Sequence, residues 1–208
     1  MLPTTLANDK DKDLKTGALA LGKRPALILV DLSIGFCSPK SPLGGDFSTV
    51  IQANRQLLNT FRQHSWPVFF TTVVYQNEHQ ASIFRQRLPD LNILQQGSHW
   101  TEIHPELDKQ QNEHLIEKHW PSGFFATQLA EQLVLEEVDS LVVTGLTTSG
   151  CVRATVVDAL QHNYPVFVPD QACGDRNISA HEANLHDMHA KYAQVMDMDA
   201  LMAQLSLI

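Results

Sequence analysis

Three residues of this chain carry the groups that covalent hydrolysis needs: an acid, an amine and a thiol. Asp31 ends ALILVD (residues 26–31), Lys118 lies late in HLIEKHW (114–120), and Cys151 follows SLVVTGL (140–146) after the polar turn TTSG. A cysteine at the mouth of a helix meets unpaired backbone N–H groups and the positive end of the helix dipole, and both favour thiolate over thiol. A nearby lysine acts in the same direction, and such settings bring a cysteine from about 8.5 into the range of about 3.5–7.5. The expectation is a Cys151 that is nucleophilic at neutral pH. Asp31 would take its proton and later activate water. The small side chains of the turn, Gly150 among them, leave backbone N–H groups open to a developing oxyanion. Taken singly, the same residues also fit plainer roles: a cysteine as a small buried hydrophobe, an aspartate as a turn or helix cap, a lysine as a solvated charge.

Residues so far apart in sequence reach one another only if the fold gathers them. ALILVD (26–31), PVFFTTVVY (67–75), HLIEKHW (114–120), SLVVTGL (140–146) and PVFVPDQA (165–172) read as short β-rich runs. Helical spacing separates most of them. Residues 49–64 bring Ile51, Leu57, Leu58 and Phe61 to one side, and residues 125–138 do so with Phe125, Leu129, Leu133 and Val134. Val152, Val156, Ala159 and Leu160 form a stripe after Cys151, and residues 179–195 predict a helix capped at Ser179 with Glu182 three residues on. Apolar strands alternating with helices indicate a parallel sheet covered on both faces. Ligands of such sheets bind beyond the carboxyl ends of the strands, where all three residues fall. The Pro/Gly-rich segment CSPKSPLGGD (37–46) is a long loop after the first strand.

At 208 residues the chain fits one domain, placed at residues 23–208, with residues 1–22 read as a flexible N-terminal arm. A formal charge of −8 argues against nucleic acid and anionic membranes, since phosphate neutralisation needs a concentrated basic surface. No apolar run approaches the roughly 20 residues of a membrane span, and the polar N-terminus lacks the pattern of a signal peptide. Three widely spaced cysteines give neither a disulfide framework nor a CxxC pair, so a cytoplasmic protein with free thiols is expected. Cys37 and Cys173 have no neighbouring base in the sequence and read as structural. His181, His186 and His189 share one predicted helix, but their spacing suits a solvated face better than a metal site.

ALILVDLSIGF, the lysine of IEKHWPSGFFAT, VVTGLTTSGCVRATVVDALQ and VPDQACGDRNISAHEANLHDMHAKYA together resemble the isochorismatase-like cysteine hydrolases. The likeness is greatest to the branch of N-carbamoylsarcosine and maleamate amidases, and it spans about residues 24–205. It implies an α/β fold of three α-β-α layers with a six-stranded parallel sheet, usually in homo-oligomers such as dimers or tetramers. It implies a catalytic triad of Asp31, Lys118 and Cys151, a cis peptide between Leu146 and Thr147, and an oxyanion held by the N–H groups of Thr147 and Cys151. No metal or other cofactor is implied. The Asp-x-His metal motif of the nicotinamidases is missing from TTVVYQNEH, which follows the second strand's place. By the same similarity Arg176 would grip a substrate carboxylate, the alternative being a pairing with Asp175 or Asp170. Phe36 and Thr148 stand beside it as expected substrate contacts. Arg153 suits either an anchoring or a structural role, and Trp100, Trp120 and Phe125 are pocket walls or core.

The activity so implied is hydrolysis of a C–N bond in a small carboxylated amide or ureido acid, through a thioester and with release of ammonia. Vinyl ether hydrolysis by the aspartate alone is a second possibility, and a binding protein without turnover a third.

Overall fold

The computed structural model describes residues 13–208. Among the described residues there are seven strands: β1 (Pro25–Val30), β2 (Val68–Val73), β3 (His114–Lys118), β4 (Ser140–Leu146), β5 (Val166–Pro169), β6 (Cys173–Gly174) and β7 (Gln194–Met196). The helices are α1 (Ile34–Cys37), α2 (Ser48–Gln63), α3 (Ser82–Arg87), α4 (Leu129–Leu135), α5 (Arg153–Gln161), α6 (Ile178–Lys191) and α7 (Met198–Leu205). All strand pairs are parallel, in the order β3-β2-β1-β4-β5-β7, and β6 adds a short pairing to the end of β4. The expected count of six is the length of that path. The seventh strand is the two-residue β6, which a run of turn-forming residues conceals in the sequence.

β1, β2, β4 and β5 are buried along their whole length, as strands covered on both faces must be. Alternate residues of β1 enter opposite layers. Leu27 and Leu29 join a core with α2 and α7, while Ala26, Ile28 and Val30 join one with α4, α5 and α6. β3 lies at the edge, which explains its mixed pattern, with Leu115 44% exposed and Ile116 and Lys118 buried. β1 pairs with β4 from Pro25↔Ser140 to Val30↔Gly145. At the last pair Gly145 has φ +110°, and a Cβ there would meet the Val30 carbonyl at 2.1 Å, so only glycine lets the strands close up.

The chain leaves β1 toward β2 and leaves β4 toward β5, on opposite sides, so the sheet's switch point falls between β1 and β4. Asp31 and Cys151 follow those two strands.

The structure departs from several sequence expectations. α4 starts at Leu129, not 125, because residues 119–125 fold over the sheet edge; Phe125 (57%) and Val134 (68%) are exposed, while Leu129 and Leu133 are buried. In the stripe after Cys151, Val152, Val156 and Ala159 are buried, whereas Leu160 is 39% exposed. α6 is capped by Asn177, whose side chain accepts from the Ala180 N–H at 3.1 Å, instead of Ser179, and the chain becomes β7 at Gln194. Of the arm expected over residues 1–22, residues 1–12 lie outside the described residues. Within residues 13–22, Leu19 N–H donates to Gln194 Oε1 at 3.1 Å and Gly22 N–H to Ser140 Oγ at 3.0 Å. Among the described residues no helix is long and apolar enough to cross a membrane.

Candidate active site

Asp31 sits directly after β1 in a left-handed conformation, φ 50°, which is costly for a residue with a Cβ. That turn of the backbone carries its carboxylate over the ends of the neighbouring strands, where it is fully buried. Two donors hold it. Lys118 Nζ, from the end of β3, donates to Oδ2 at 2.8 Å, and Thr71 Oγ1, from β2 between them, donates to Oδ1 at 2.7 Å. The Asp31 N–H returns a hydrogen bond to Thr71 Oγ1 at 3.2 Å.

The Lys118 ammonium has its three donors placed: one on Asp31, one on the Trp120 carbonyl at 3.0 Å, and one on the Pro121 carbonyl at 2.9 Å. Burial alone would push this ammonium down, but the charges and hydrogen bonds of Asp31 and Cys151 outweigh it and hold Lys118 above its ordinary value. Residues 119–125, which supply those carbonyls, are tied to α5 by the Gly123 N–H, which donates to Thr155 Oγ1 at 3.0 Å. Thr155 in turn donates to the Cys151 carbonyl at 2.7 Å.

Cys151 lies in a wide helical turn, Thr148–Val152, that opens α5. The Thr147 carbonyl accepts from the Gly150 N–H at 3.0 Å and the Val152 N–H at 3.1 Å, on either side of Cys151. The Leu146–Thr147 peptide is cis. The charges of Asp31 and Lys118 both act on the Cys151 thiol, so the three side chains named from the sequence share one buried neighbourhood.

The state of that thiol is not the one the sequence suggests. Burial pushes Cys151 up to about 12; Lys118 pulls it down, and the Asp31 charge pushes it up again. A helix terminus and a lysine predict a thiolate, but this lysine is already paired with a carboxylate 2.8 Å away, and the residue is only 8% exposed. The resting site holds a neutral thiol beside an ion pair. Cys37 is likewise raised to about 12 by burial, with the Asp31 charge adding to it, and Cys173 is raised to about 12 by burial.

Thr148, expected to touch substrate, is fully buried, and its hydroxyl lies 3.0 Å from the Gly174 carbonyl and 2.8 Å from His181 Nδ1. It holds the turn to the start of α6. Phe36 is buried in the core packed under α2. Arg176 is exposed and donates to the Leu43 carbonyl in the long loop after β1, pairing with neither Asp175 nor Asp170. Arg153 turns to α6, 3.8 Å from Asp187, and its guanidinium stacks over Tyr192 at 5.9 Å. Trp120 packs on Phe84 of α3 and meets Phe125 edge-on, with centroids 6.3 and 6.0 Å apart. Among the described residues no group of three or more His, Cys, Asp or Glu side chains could hold a metal ion.

Sequence reasoning did not single out Thr71, the Trp120 and Pro121 carbonyls or Thr155, and it named Asp175 only as a possible partner of Arg176. Asp175 Oδ2 accepts from both the N–H (2.9 Å) and the hydroxyl (2.7 Å) of Ser149 and so caps the nucleophile turn. Thr71 had one available signal, its place in the Thr71–Thr72 pair of polar side chains within an otherwise apolar strand.

The family model described as the isochorismatase domain matches residues 25–200. A maleamate amidohydrolase from Pseudomonas putida is 35% identical over 90% of this chain and 89% of its own length. An N-carbamoylsarcosine amidase from an Arthrobacter species is 31% identical over 97% of this chain and 78% of its own. Among solved structures, N-carbamoylsarcosine amidase from Thermoplasma acidophilum superposes with a TM-score of 0.71 at 26% identity, covering 85% of this chain and 97% of that one.

Proposed function

The chain belongs to the isochorismatase family and is a hydrolase of carbon–nitrogen bonds other than peptide bonds, and from that premise we propose that it works through Cys151 on a small carboxylated amide or ureido acid. One observation carries the reading: a buried thiol under the electrostatic influence of an Asp31–Lys118 pair that is itself fully dry.

A neutral thiol is a poor nucleophile, so the proton must leave as the bond forms. Cys151 Sγ attacks the carbonyl carbon while its proton passes to Asp31. Lys118 holds the negative charge of the pair constant as that charge moves from carboxylate to sulfur. The tetrahedral oxyanion is received by the N–H groups of Thr147 and Cys151. The proton on Asp31 then goes to the leaving nitrogen, ammonia departs, and a thioester remains. Water, losing a proton to Asp31, attacks the thioester, and the proton returns to sulfur as the acid is released. Arg176, exposed beyond β6 and oriented by the Leu43 carbonyl, is the proposed partner of the substrate carboxylate. The similarity to a maleamate amidohydrolase and to an N-carbamoylsarcosine amidase supports substrates of that kind.

The test is an ammonia-release assay over small carboxylated amides and ureido acids. The native protein should release stoichiometric ammonia from at least one, and Cys151→Ala should release none above background. Turnover retained by Cys151→Ala, or no turnover of any member of the series, overturns the reading.

A further inference from the structure

Thr71 sits on β2, between the strand that delivers Asp31 and the strand that delivers Lys118. Its hydroxyl has one proton, and the Asp31 N–H, 3.2 Å away, can only donate to it. The hydroxyl proton is therefore committed to Asp31 Oδ1 at 2.7 Å. With Oδ2 taken by Lys118 at 2.8 Å, the carboxylate cannot rotate without losing a charge-assisted hydrogen bond in a site closed to water. The reciprocal bond to the backbone also braces Asp31 in its left-handed conformation, φ 50°. The rest of Thr71 is used as well: a Cβ on Gly123 would come within 3.4 Å of the Thr71 methyl, so that methyl packs beneath the segment whose carbonyls hold Lys118.

We propose that Thr71 is a positioning residue that fixes the orientation of the Asp31 carboxylate, so that the carboxylate is already aimed when the Cys151 proton must move. The inference rests on the reading of Asp31 as the proton acceptor. The ionisable groups around Asp31 are Lys118 from β3, Cys151 from the nucleophile turn, Cys37 from α1 and Tyr75 just beyond β2. Of these Lys118 donates to Oδ2, whereas Oδ1 takes its hydrogen bond from the uncharged Thr71 hydroxyl.

Two substitutions separate the hydroxyl from the methyl. Thr71→Val keeps the shape and deletes the donor, and Thr71→Ser keeps the donor and deletes the methyl. Removing a donor from an ionised carboxylate favours its protonated form. The pH profile of Cys151 alkylation by iodoacetamide, followed on the Cys151 peptide, needs no substrate and has an acid limb set by the first proton lost from the Asp31–Cys151 pair. In Thr71→Val that limb moves up by about one pH unit, and kcat for ammonia release falls by about 10–100-fold, the worth of one hydrogen bond to a charged group. Thr71→Ser returns the limb to its native position. An unmoved limb in Thr71→Val, or a Thr71→Ser variant displaced as far as the valine, overturns the inference. If ammonia is released normally while the valine limb stays in place, only the role of Thr71 fails. If the limb moves but no amide is turned over by the native protein, only the amidase reading fails.

Discussion

β3 begins and ends in charged clusters, and the two ends of this one short strand behave differently. At its start His114 Nε2 stands 3.1 Å from Glu136 Oε1, and Arg24 reaches the other oxygen of Glu136 at 3.1 Å; these side chains are 27%, 33% and 40% exposed. Nearby, Arg62 and Glu113 pair at 2.7 Å, and these two border an open cleft of about 460 Å³ together with His114 and Glu136. At its other end Lys118 meets Asp31 at 2.8 Å with both side chains wholly removed from solvent. Ion pairing by itself does not mark a site. Wet pairs contribute about 0–1 kcal/mol and tolerate change, whereas a dry pair is retained against a desolvation cost of several kcal/mol per ion. The dry end also has a third reactive group within reach, Cys151, and the wet end has none.

The sharpest way to break the comparison is to remove one charge from each end. Lys118→Met leaves the Asp31 carboxylate and the carbonyls of Trp120 and Pro121 without their shared donor, and should cost about 3–5 kcal/mol in urea unfolding along with all ammonia release. Stability within about 1 kcal/mol of native would place this pair in the same class as the wet one.

A pH series sharpens it further. Cys37, Cys151 and Cys173 are each raised from 9.0 to about 12 in the folded chain, so above pH 9 the unfolded chain gives up protons that the folded chain keeps. Stability from these thiols is complete below pH 9 and declines as pH rises toward about 12, by up to about 1.4 kcal/mol per pH unit for each. Lys118, also held above its ordinary value, loses stability with the same sign. Urea midpoints should hold up to about pH 9 and fall steadily above it, and Cys173→Ala should remove one thiol's share of the slope. A flat profile would mean that the thiols are not held dry.

The smallest effect belongs to the wet end. Glu136→Gln removes the carboxylate shared by His114 and Arg24 and should change stability by less than about 1 kcal/mol, by an amount that shrinks with added salt and with ammonia release unchanged. A loss comparable to that of Lys118→Met would erase the distinction between the two ends.

Much of the scaffold was legible in the sequence. Four of the strands, β1, β2, β4 and β5, coincide with apolar runs because a strand buried on both faces has almost no freedom to be polar; the edge strand β3 coincides with a more mixed run, and α2 kept its predicted stripe of Ile51, Leu57, Leu58 and Phe61. The misreadings came where a segment serves another element. Phe125 has helical spacing but stands in the fold of residues 119–125 over Lys118, and Thr148 has a polar side chain near the nucleophile but spends it on Gly174 and His181. β6 and β7, at two and three residues, are too short to show a period, and only pairing with β4 and β5 makes them strands.

By itself the sequence determined the residue types and where they leave their strands: an aspartate after β1, a lysine ending β3, a cysteine beyond β4, and glycine at position 145 where two backbones close up. Strand order determined that the three ends share one rim. Only the tertiary structure decided that the lysine's charge is spent on the aspartate, that Thr71 holds the second carboxylate oxygen, and that the sulfur rests as a neutral thiol. Those outcomes depend on distance and on the exclusion of water, and a linear order of residues specifies neither until the layers pack.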